Sequence, residues 1–298
     1  YINVYDVDNG SAYMDADEAG YEKGSLPVLS SVMLEGEYNA TNLFKDEVKN
    51  LTSYDMYTFA NDISHSKEFY SALRLDLGYK QADVLARYDM AESEWVKVTD
   101  IPRDFRDAQG VTMASYAGKI YLIGGYNLDT QKTLSTVYCY DTIKNIWTKA
   151  ADMPEGRFLS KAIQTNGKLV VTLGSNGKEA SSENYIFDGT NWTVGAKLEG
   201  VLDTLKVAVP VPYEEGMELE EGVIVMPLFG LAIRLIPYYH AAVGTTDEGV
   251  IYSGIRAEKL GNTFVYNVSK NAYNSIGKML TTNNKDDLVW GGTLGKRF

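Results

Sequence analysis

The sequence predicts an all-β fold built from repeated four-stranded sheets. Three observations predict it. Aromatic load is the first: 22 Tyr among 298 residues, a residue that favours half-buried pleated surfaces. Turn dipeptides are the second, since Asn166-Gly167, Asn176-Gly177 and Asp188-Gly189 separate short alternating runs, which reads as strands joined by tight hairpins. The third is self-similarity at a spacing of roughly 45–52 residues, the mark of a repeat architecture.

The repeat is clearest around residues 119–125, Lys-Ile-Tyr-Leu-Ile-Gly-Gly, an apolar strand closing on Gly124 and Gly125. Tyr140-Asp141 follows, then Trp147 seven residues after Tyr140, Met153-Pro154 and Arg157. A second copy runs from Lys168 through Gly174 and Phe187-Asp188 to Trp192. Upstream, Tyr88-Asp89 precedes Trp95, Ile101-Pro102 and Arg106, and downstream Gly249–Gly254 leads to Tyr266-Asn267 and Tyr273. The Trp95–Trp147 step is 52 residues and the Trp147–Trp192 step is 45. A four-stranded sheet with two apolar faces cannot stand alone, so such copies stack face to face around an axis. Glycines allow close backbone approach, and the Tyr and Trp pack between sheets.

The order glycine pair, Tyr-Asp, Trp, Met-Pro, Arg resembles the kelch motif, matched best by Gly124, Gly125, Tyr140, Trp147, Met153-Pro154 and Arg157. The resemblance implies one kelch-type β-propeller over 1–298, with about six four-stranded blades at this repeat length. Clear repeats span 84–198 and weaker ones 238–298, where Ser253-Gly254 replaces the glycine pair and Tyr273 the Trp. Degenerate blades are expected over 11–75 and 199–237. A short helical insertion is expected near 41–52, where Leu43, Phe44, Val48 and Leu51 fall at helical spacing. Strands from both chain ends, Tyr1–Asn9 and Asp287–Phe298, are expected to share one blade, a closure that removes an exposed sheet edge.

Composition narrows the function classes. A formal net charge of −12 argues against sequence-independent nucleic-acid binding, which needs a field of Lys and Arg. No run of 18 apolar residues occurs, so no membrane-spanning helix is expected. Cys139 is the only cysteine, which excludes an internal disulfide. The chain opens mid-strand at Tyr1, which reads as a piece of a longer polypeptide. Its Tyr-, Asn-, Asp- and Thr-rich style gives the expectation of a monomeric domain of a multidomain bacterial protein, extracellular or at the cell surface.

Catalytic and metal patterns are sparse. Two histidines, His65 and His240, and one cysteine make no zinc pattern. Tyr138-Cys139-Tyr140 invites comparison with copper-radical oxidases of the kelch family, but a site needing two His and two Tyr is poorly served here, and a buried thiol is the simpler reading. Asp6-Val-Asp8-Asn9-Gly10 lacks the ligand spacing of a calcium loop and reads as a hairpin turn. Neither a phosphate loop nor a Gly-x-Ser-x-Gly elbow is present. No metal, cofactor or catalytic residue is therefore expected. The Asn-x-Ser/Thr triplets at Asn39, Asn50, Asn191 and Asn267 read as chance in so Asn- and Thr-rich a chain.

What the resemblance leaves is the loop face, where the loops between second and third strands and between blades gather. Mapped onto this chain it should carry Arg103, Arg106, Tyr126, Asn127, Arg157, Asn176, Tyr239, His240 and Arg256. Guanidinium groups pair carboxylates bidentately, so this face is expected to bind a protein or glycan ligand as a non-catalytic interaction module. The competing role for Arg106 and Arg157 is structural, bonding loop carbonyls between blades. Two other functions stand beside the first. One is a kelch-type sugar mutarotase acting on an acidic sugar through His240, Arg106 and Arg157. The other is a structural spacer in a larger surface protein.

Overall fold

The computed structural model describes residues 4–6, 11–13, 56–62, 69–76, 81–89, 94–198, 204–213, 218, 222–226, 231–247, 249–253 and 262–278. Along the chain, β1 (Val4–Asp6) pairs antiparallel with β2 (Ser11–Tyr13). Then β3 (Met56–Asp62), β4 (Phe69–Asp76), β5 (Gln81–Asp89) and β6 (Glu94–Asp100) form a four-stranded meander in sequence order. A link containing a 3₁₀ turn, Arg103–Phe105, and the short β7 (Ala108–Gln109) follows. The next sheet holds β8 (Thr112–Tyr116) and β9 (Lys119–Ile123). After the small hairpin of β10 (Tyr126–Asn127) and β11 (Lys132–Thr133), it is completed by β12 (Val137–Asp141) and β13 (Ile146–Lys149). Another meander comprises β14 (Lys161–Thr165), β15 (Lys168–Thr172), β16 (Glu183–Phe187) and β17 (Trp192–Lys197). A three-stranded sheet of β18 (Leu205–Val211), β19 (Val223–Met226) and β20 (Leu231–Tyr238) intervenes in the chain. Finally β21 (Ala242–Thr245), β22 (Gly249–Ser253), β23 (Asn262–Asn267) and β24 (Ala272–Lys278) make a fourth meander.

This is the all-β, propeller-blade architecture expected from the sequence. Among the described residues there is no α-helix, and the helical insertion near 41–52, Arg256 and the strands at Asp287–Phe298 lie outside them. Local chemistry explains the meanders. The β8–β9 turn at Ala117-Gly118 and the β14–β15 turn at Asn166-Gly167 hold both central residues at positive φ, the type I′ geometry whose twist suits a hairpin. Second strands are buried nearly throughout (Ile120 to Ile123, Leu169 to Thr172), while fourth strands such as β13 are largely exposed. A strand covered on both faces reads as a continuous apolar run, which is how Lys-Leu-Val-Val-Thr reads.

The aromatic signature has one physical meaning wherever its side chains are described. Tyr88 faces Trp95, Phe187 faces Trp192 and Tyr266 faces Tyr273 across the ladder of the third and fourth strands. Ring centroids lie 5.1 Å apart for Tyr140–Trp147, 4.8 Å for Phe187–Trp192 and 5.0 Å for Tyr266–Tyr273. The fourth-strand aromatic then reaches back to a carbonyl at the end of the preceding meander. Trp147 Nε1 donates to Asp100 O at 2.9 Å, and Trp192 Nε1 donates to Ala151 O at 2.8 Å. Tyr273 Oη does the same towards Ala196 O at 3.4 Å.

The chain divides into two compact units, Tyr1–Arg103 with Met113–Ile120 and Tyr140–Trp147, and Asp104–Thr112 with Tyr121–Cys139 and Thr148–Phe298. In the first, Ala72, Val84, Leu85 and Ala86 of the β3–β6 meander are buried. The second contains a core between the β14–β17 and β21–β24 meanders, built from Ile163, Val170, Leu173, Val243, Val250, Tyr252 and Tyr266. That seam also holds a polar chain. The Tyr252 hydroxyl lies 2.8 Å from Thr172 Oγ1 and donates to Asn184 Oδ1 at 3.2 Å, and Asn184 Nδ2 donates to the Tyr273 hydroxyl at 2.6 Å. Its complete burial pushes the Tyr252 hydroxyl well above its ordinary pKa.

These two meanders therefore pack directly on one another. Within 199–237, expected as a degenerate blade, the described strands β18, β19 and β20 form a three-stranded sheet outside that seam. The link between meanders takes 11 residues from Asp100 to Thr112 and 11 from Lys149 to Lys161, but 44 from Lys197 to Ala242. The extra chain is an insertion in one link.

Candidate functional site

The loop edge of the second unit begins with the glycine pair. Gly125 N donates to Arg157 O at 2.9 Å, Leu134 N to Gly125 O at 2.8 Å, and Arg157 N to Leu134 O at 3.1 Å. Gly124 has φ +65°, and a Cβ there would collide with Arg157 O; at Gly125, φ +111°, it would stand 2.7 Å from Val111 Cγ2. Both positions need glycine for approach as well as for φ. The next copy repeats the pattern with Gly174 at φ +80°, whose N donates to Tyr239 O at 3.0 Å while Tyr239 N donates to Gly174 O at 3.1 Å. Tyr239 thus closes its link where Arg157 closes the preceding one, and the insertion returns the chain to the standard geometry.

On this scaffold a polar hairpin projects. Tyr126 pairs with Gln109 and Thr133, placing β10 between β7 and β11. Asn127 Oδ1 accepts from Thr130 N at 2.8 Å, and its Nδ2 donates to Arg106 O at 3.0 Å, a side chain mimicking a turn. Gln131 Nε2 donates to Leu128 O at 2.6 Å and to Pro210 O of β18 at 3.0 Å. In the neighbouring loop Asn176 Oδ1 accepts from Lys178 N and Glu179 N, and Asn176 Nδ2 donates to Glu155 Oε1 at 3.2 Å.

The inserted sheet rests on this edge. Val209 and Ile236 form a buried cluster with Tyr126 and Phe158, to which Val207, Leu128 and Leu159 add their partly buried side chains. Tyr126 and Phe158 stack at 5.1 Å. The register explains the contact. Val207 faces Ile236, Val209 faces Arg234 and Leu205 faces Tyr238, so alternate residues of β18 and β20 share the face turned to the edge.

The residues expected in the ligand ring differ in exposure. Arg157 is 1% exposed. Its Nη1 donates to Glu183 O at 2.6 Å, and its guanidinium lies 4.0 Å above the Tyr185 ring centroid. Burial pulls its pKa below the usual range, opposed by Tyr185. The Arg157 guanidinium is thus directed at a carbonyl and a ring beneath the surface, the kind of contact the structural role of the two would need. Tyr126, also 1% exposed, is withdrawn under the insertion. Arg103 and Arg106 are exposed, with Arg106 Nε 3.8 Å from Asp107 Oδ2. Tyr239 and His240 are half-buried. Burial, with Lys161 adding to it, pulls the His240 imidazole down to about 4, and its ring stands 6.4 Å from Tyr238 in an edge-on arrangement.

No group of three or more His, Cys, Asp or Glu that could hold a metal exists among the described residues. No helix there is long and apolar enough to cross a membrane. Cys139 is buried and free. Sequence reasoning gave 199–237 as a degenerate blade and did not place its strands on the edge formed by Tyr126 and Phe158. The available signal was spacing: Trp147 is followed by the next first strand at Lys161, whereas Trp192 waits until Ala242.

The Kelch motif family model matches residues 109–154, which covers β7 to the link after β13. The chain is similar to Kelch-like protein 41b of Danio rerio, 30% identical over 112 residues, 37% of this chain and 18% of that protein. It is also similar to Kelch-like protein 23 of Homo sapiens, 32% identical over 100 residues, 34% and 17% of the two chains. Kelch repeat and BTB domain-containing protein 8 of Homo sapiens is 28% identical over 106 residues, 35% and 17%. The similarity spans less than a fifth of the length of these relatives.

Proposed function

Because this chain is a kelch-repeat protein, we propose that it is a non-catalytic protein-binding module that takes its partner on the loop edge. One observation supports this best. The groups suited to acid–base chemistry are withdrawn there, Arg157 beneath Tyr185 and His240 among Tyr238 and Lys161, while short polar turns and a partly apolar sheet face outward. Such a mixture of apolar and hydrogen-bonding surface suits a protein partner better than a small polar sugar. In the mutarotase alternative Arg106 and Arg157 would act with His240, yet their guanidiniums lie against Asp107 and Tyr185 respectively.

Affinity capture with the chain and with an Arg106→Ala, Asp129→Ala, Lys178→Ala variant tests this reading, since all three side chains are exposed on the edge. Proteins held by the parent chain and lost by the variant are expected, with no accelerated anomer exchange of an acidic sugar by NMR. Catalysed exchange, or capture indifferent to the three changes, overturns it. An extracellular or cell-surface location remains part of the proposal; the relatives described above are vertebrate proteins and lend a bacterial origin no support.

A further inference from the structure

Lys161 is a half-buried cation of the second unit without a counter-charge. It opens β14 and pairs with Thr172 of β15. Directly opposite residues share a face, and this one is turned to the β21–β24 meander, where the Thr172 hydroxyl meets Tyr252. Among the described residues no carboxylate lies within ion-pair distance of the Lys161 ammonium and no acceptor bonds it. Other lysines stand differently: Lys119 faces Asp141 at 3.8 Å, Lys149 faces Asp152 at 3.8 Å and Lys197 faces Glu183 at 3.0 Å. Burial alone pulls the Lys161 amine below its ordinary pKa. A partly buried, uncompensated charge costs stability, and an anion arriving from outside would offset that cost.

Three segments of the loop edge converge at this corner. Gly174, two residues beyond Thr172, exchanges both backbone bonds with Tyr239, at 3.0 and 3.1 Å. A Cβ on Gly174 would stand 2.7 Å from Ser160 N, so the approach to Lys161 packs on the same glycine. Ser160 is buried, its hydroxyl 3.0 Å from Thr112 Oγ1, which holds the start of β14 in place. Next to β14 runs β21, with Ile163 and Val243 in one buried cluster. His240 lies two residues before β21, beside Lys161. Burial and the Lys161 charge pull its imidazole down to about 4, so at neutral pH the ring is uncharged and the charge of this corner is that of Lys161.

We propose that Lys161 is a recessed receptor for a single carboxylate of a partner protein, an Asp or Glu side chain in an otherwise uncharged segment. An ammonium is a compact donor with three hydrogens, and it takes a carboxylate without the planar match that a guanidinium requires. The net charge of −12 disfavours an acidic run, since every further carboxylate meets that field. The proposal rests on the protein-binding reading of the loop edge and names the partner group and its place there.

The test uses the full chain, isotope-labelled for NMR, and the peptide acetyl-Gly-Glu-Gly-amide, with its Gln counterpart and methyl glucuronide as comparisons. The Glu peptide is expected to shift the resonances of Ser160–Ala162 and Tyr239–Ala241, and the Gln peptide to leave them in place. Lys161→Met keeps the apolar stem and removes the charge. It should lose about tenfold in affinity for the Glu peptide while melting at or above the parent's temperature, since no partner is abandoned. Lys178→Ala, an exposed change on the neighbouring loop, should bind as the parent does. Equal response to the Gln peptide, no response to the Glu peptide, or affinity unchanged in Lys161→Met overturns the proposal. A Lys161→Met chain that melts below the parent would reveal a partner within the chain and overturn it too. Tighter binding of methyl glucuronide at these resonances would make the occupant a sugar and overturn the protein partner. Proteins captured by the parent, lost by the Arg106→Ala, Asp129→Ala, Lys178→Ala variant and retained by Lys161→Met overturn the carboxylate site while leaving the loop-edge reading intact.

Discussion

Replacing Arg157 by Ala removes the most deeply buried charge of the loop edge. The charged hydrogen bond to Glu183 O, 2.6 Å long, is worth about 1.5–3 kcal/mol. The guanidinium at 4.0 Å over Tyr185, desolvated, adds about 2 kcal/mol. Truncation also leaves the Glu183 carbonyl without this partner and opens a void, while the desolvation cost of the guanidinium is recovered. The net expectation is a loss of about 3 kcal/mol for Arg157→Ala, in the range seen when one member of a buried charged contact is removed. Arg157→Met restores volume without charge and should cost less, about 1–2 kcal/mol for the abandoned carbonyl. Arg106→Ala, at an exposed position, should stay within about 0.5 kcal/mol of the parent. Urea unfolding followed by Trp fluorescence measures all three. Arg157→Ala as stable as the parent would refute the structural role and return that guanidinium to the ligand ring.

Three further expectations follow from particular contacts. Gly125→Ala places Cβ 2.7 Å from Val111 Cγ2 at φ +111° and should cost about 2–3 kcal/mol. Gly118→Ala, at φ +72° in open space, should cost only about 1 kcal/mol; thermal melts of the pair compare close approach with φ alone. Tyr252→Phe strips the hydroxyl from Thr172 and Asn184 and should destabilise by about 1–3 kcal/mol. His240 has a folded pKa of about 4 against an ordinary 6.5, so between those values the unfolded chain binds the extra proton. Stability should therefore fall as pH drops from 6.5 towards 4, by about 1–2 kcal/mol after discounting the ring's partial exposure. In His240→Gln that slope should flatten.

Repeats were legible in the sequence because their signals are short-range chemistry. A glycine pair, a Tyr and a Trp mark backbone approach and cross-strand stacking, and Gly125, Tyr140 and Trp147 do what their spacing implied. Trp192 sits where Trp147 does, each indole bonded to a carbonyl at the end of the preceding meander. The site was less legible. Arg157 stays open in the sequence between a ligand contact and a bond to a loop carbonyl, because nothing local announces that Tyr185, 28 residues on, supplies a ring beneath it. The insertion escaped because Leu205–Val211 alternates as any blade strand does, and alternation fixes strand character but not the partner sheet. Only the long link from Lys197 to Ala242 betrays it.

The placement of that insertion is the claim on which the edge and its function depend. Methyl-labelled Val209 and Ile236 should show nuclear Overhauser contacts to the rings of Tyr126 and Phe158, since all four share one buried cluster. Contacts from those methyls to the β14–β17 or β21–β24 meanders in place of the two rings would contradict it.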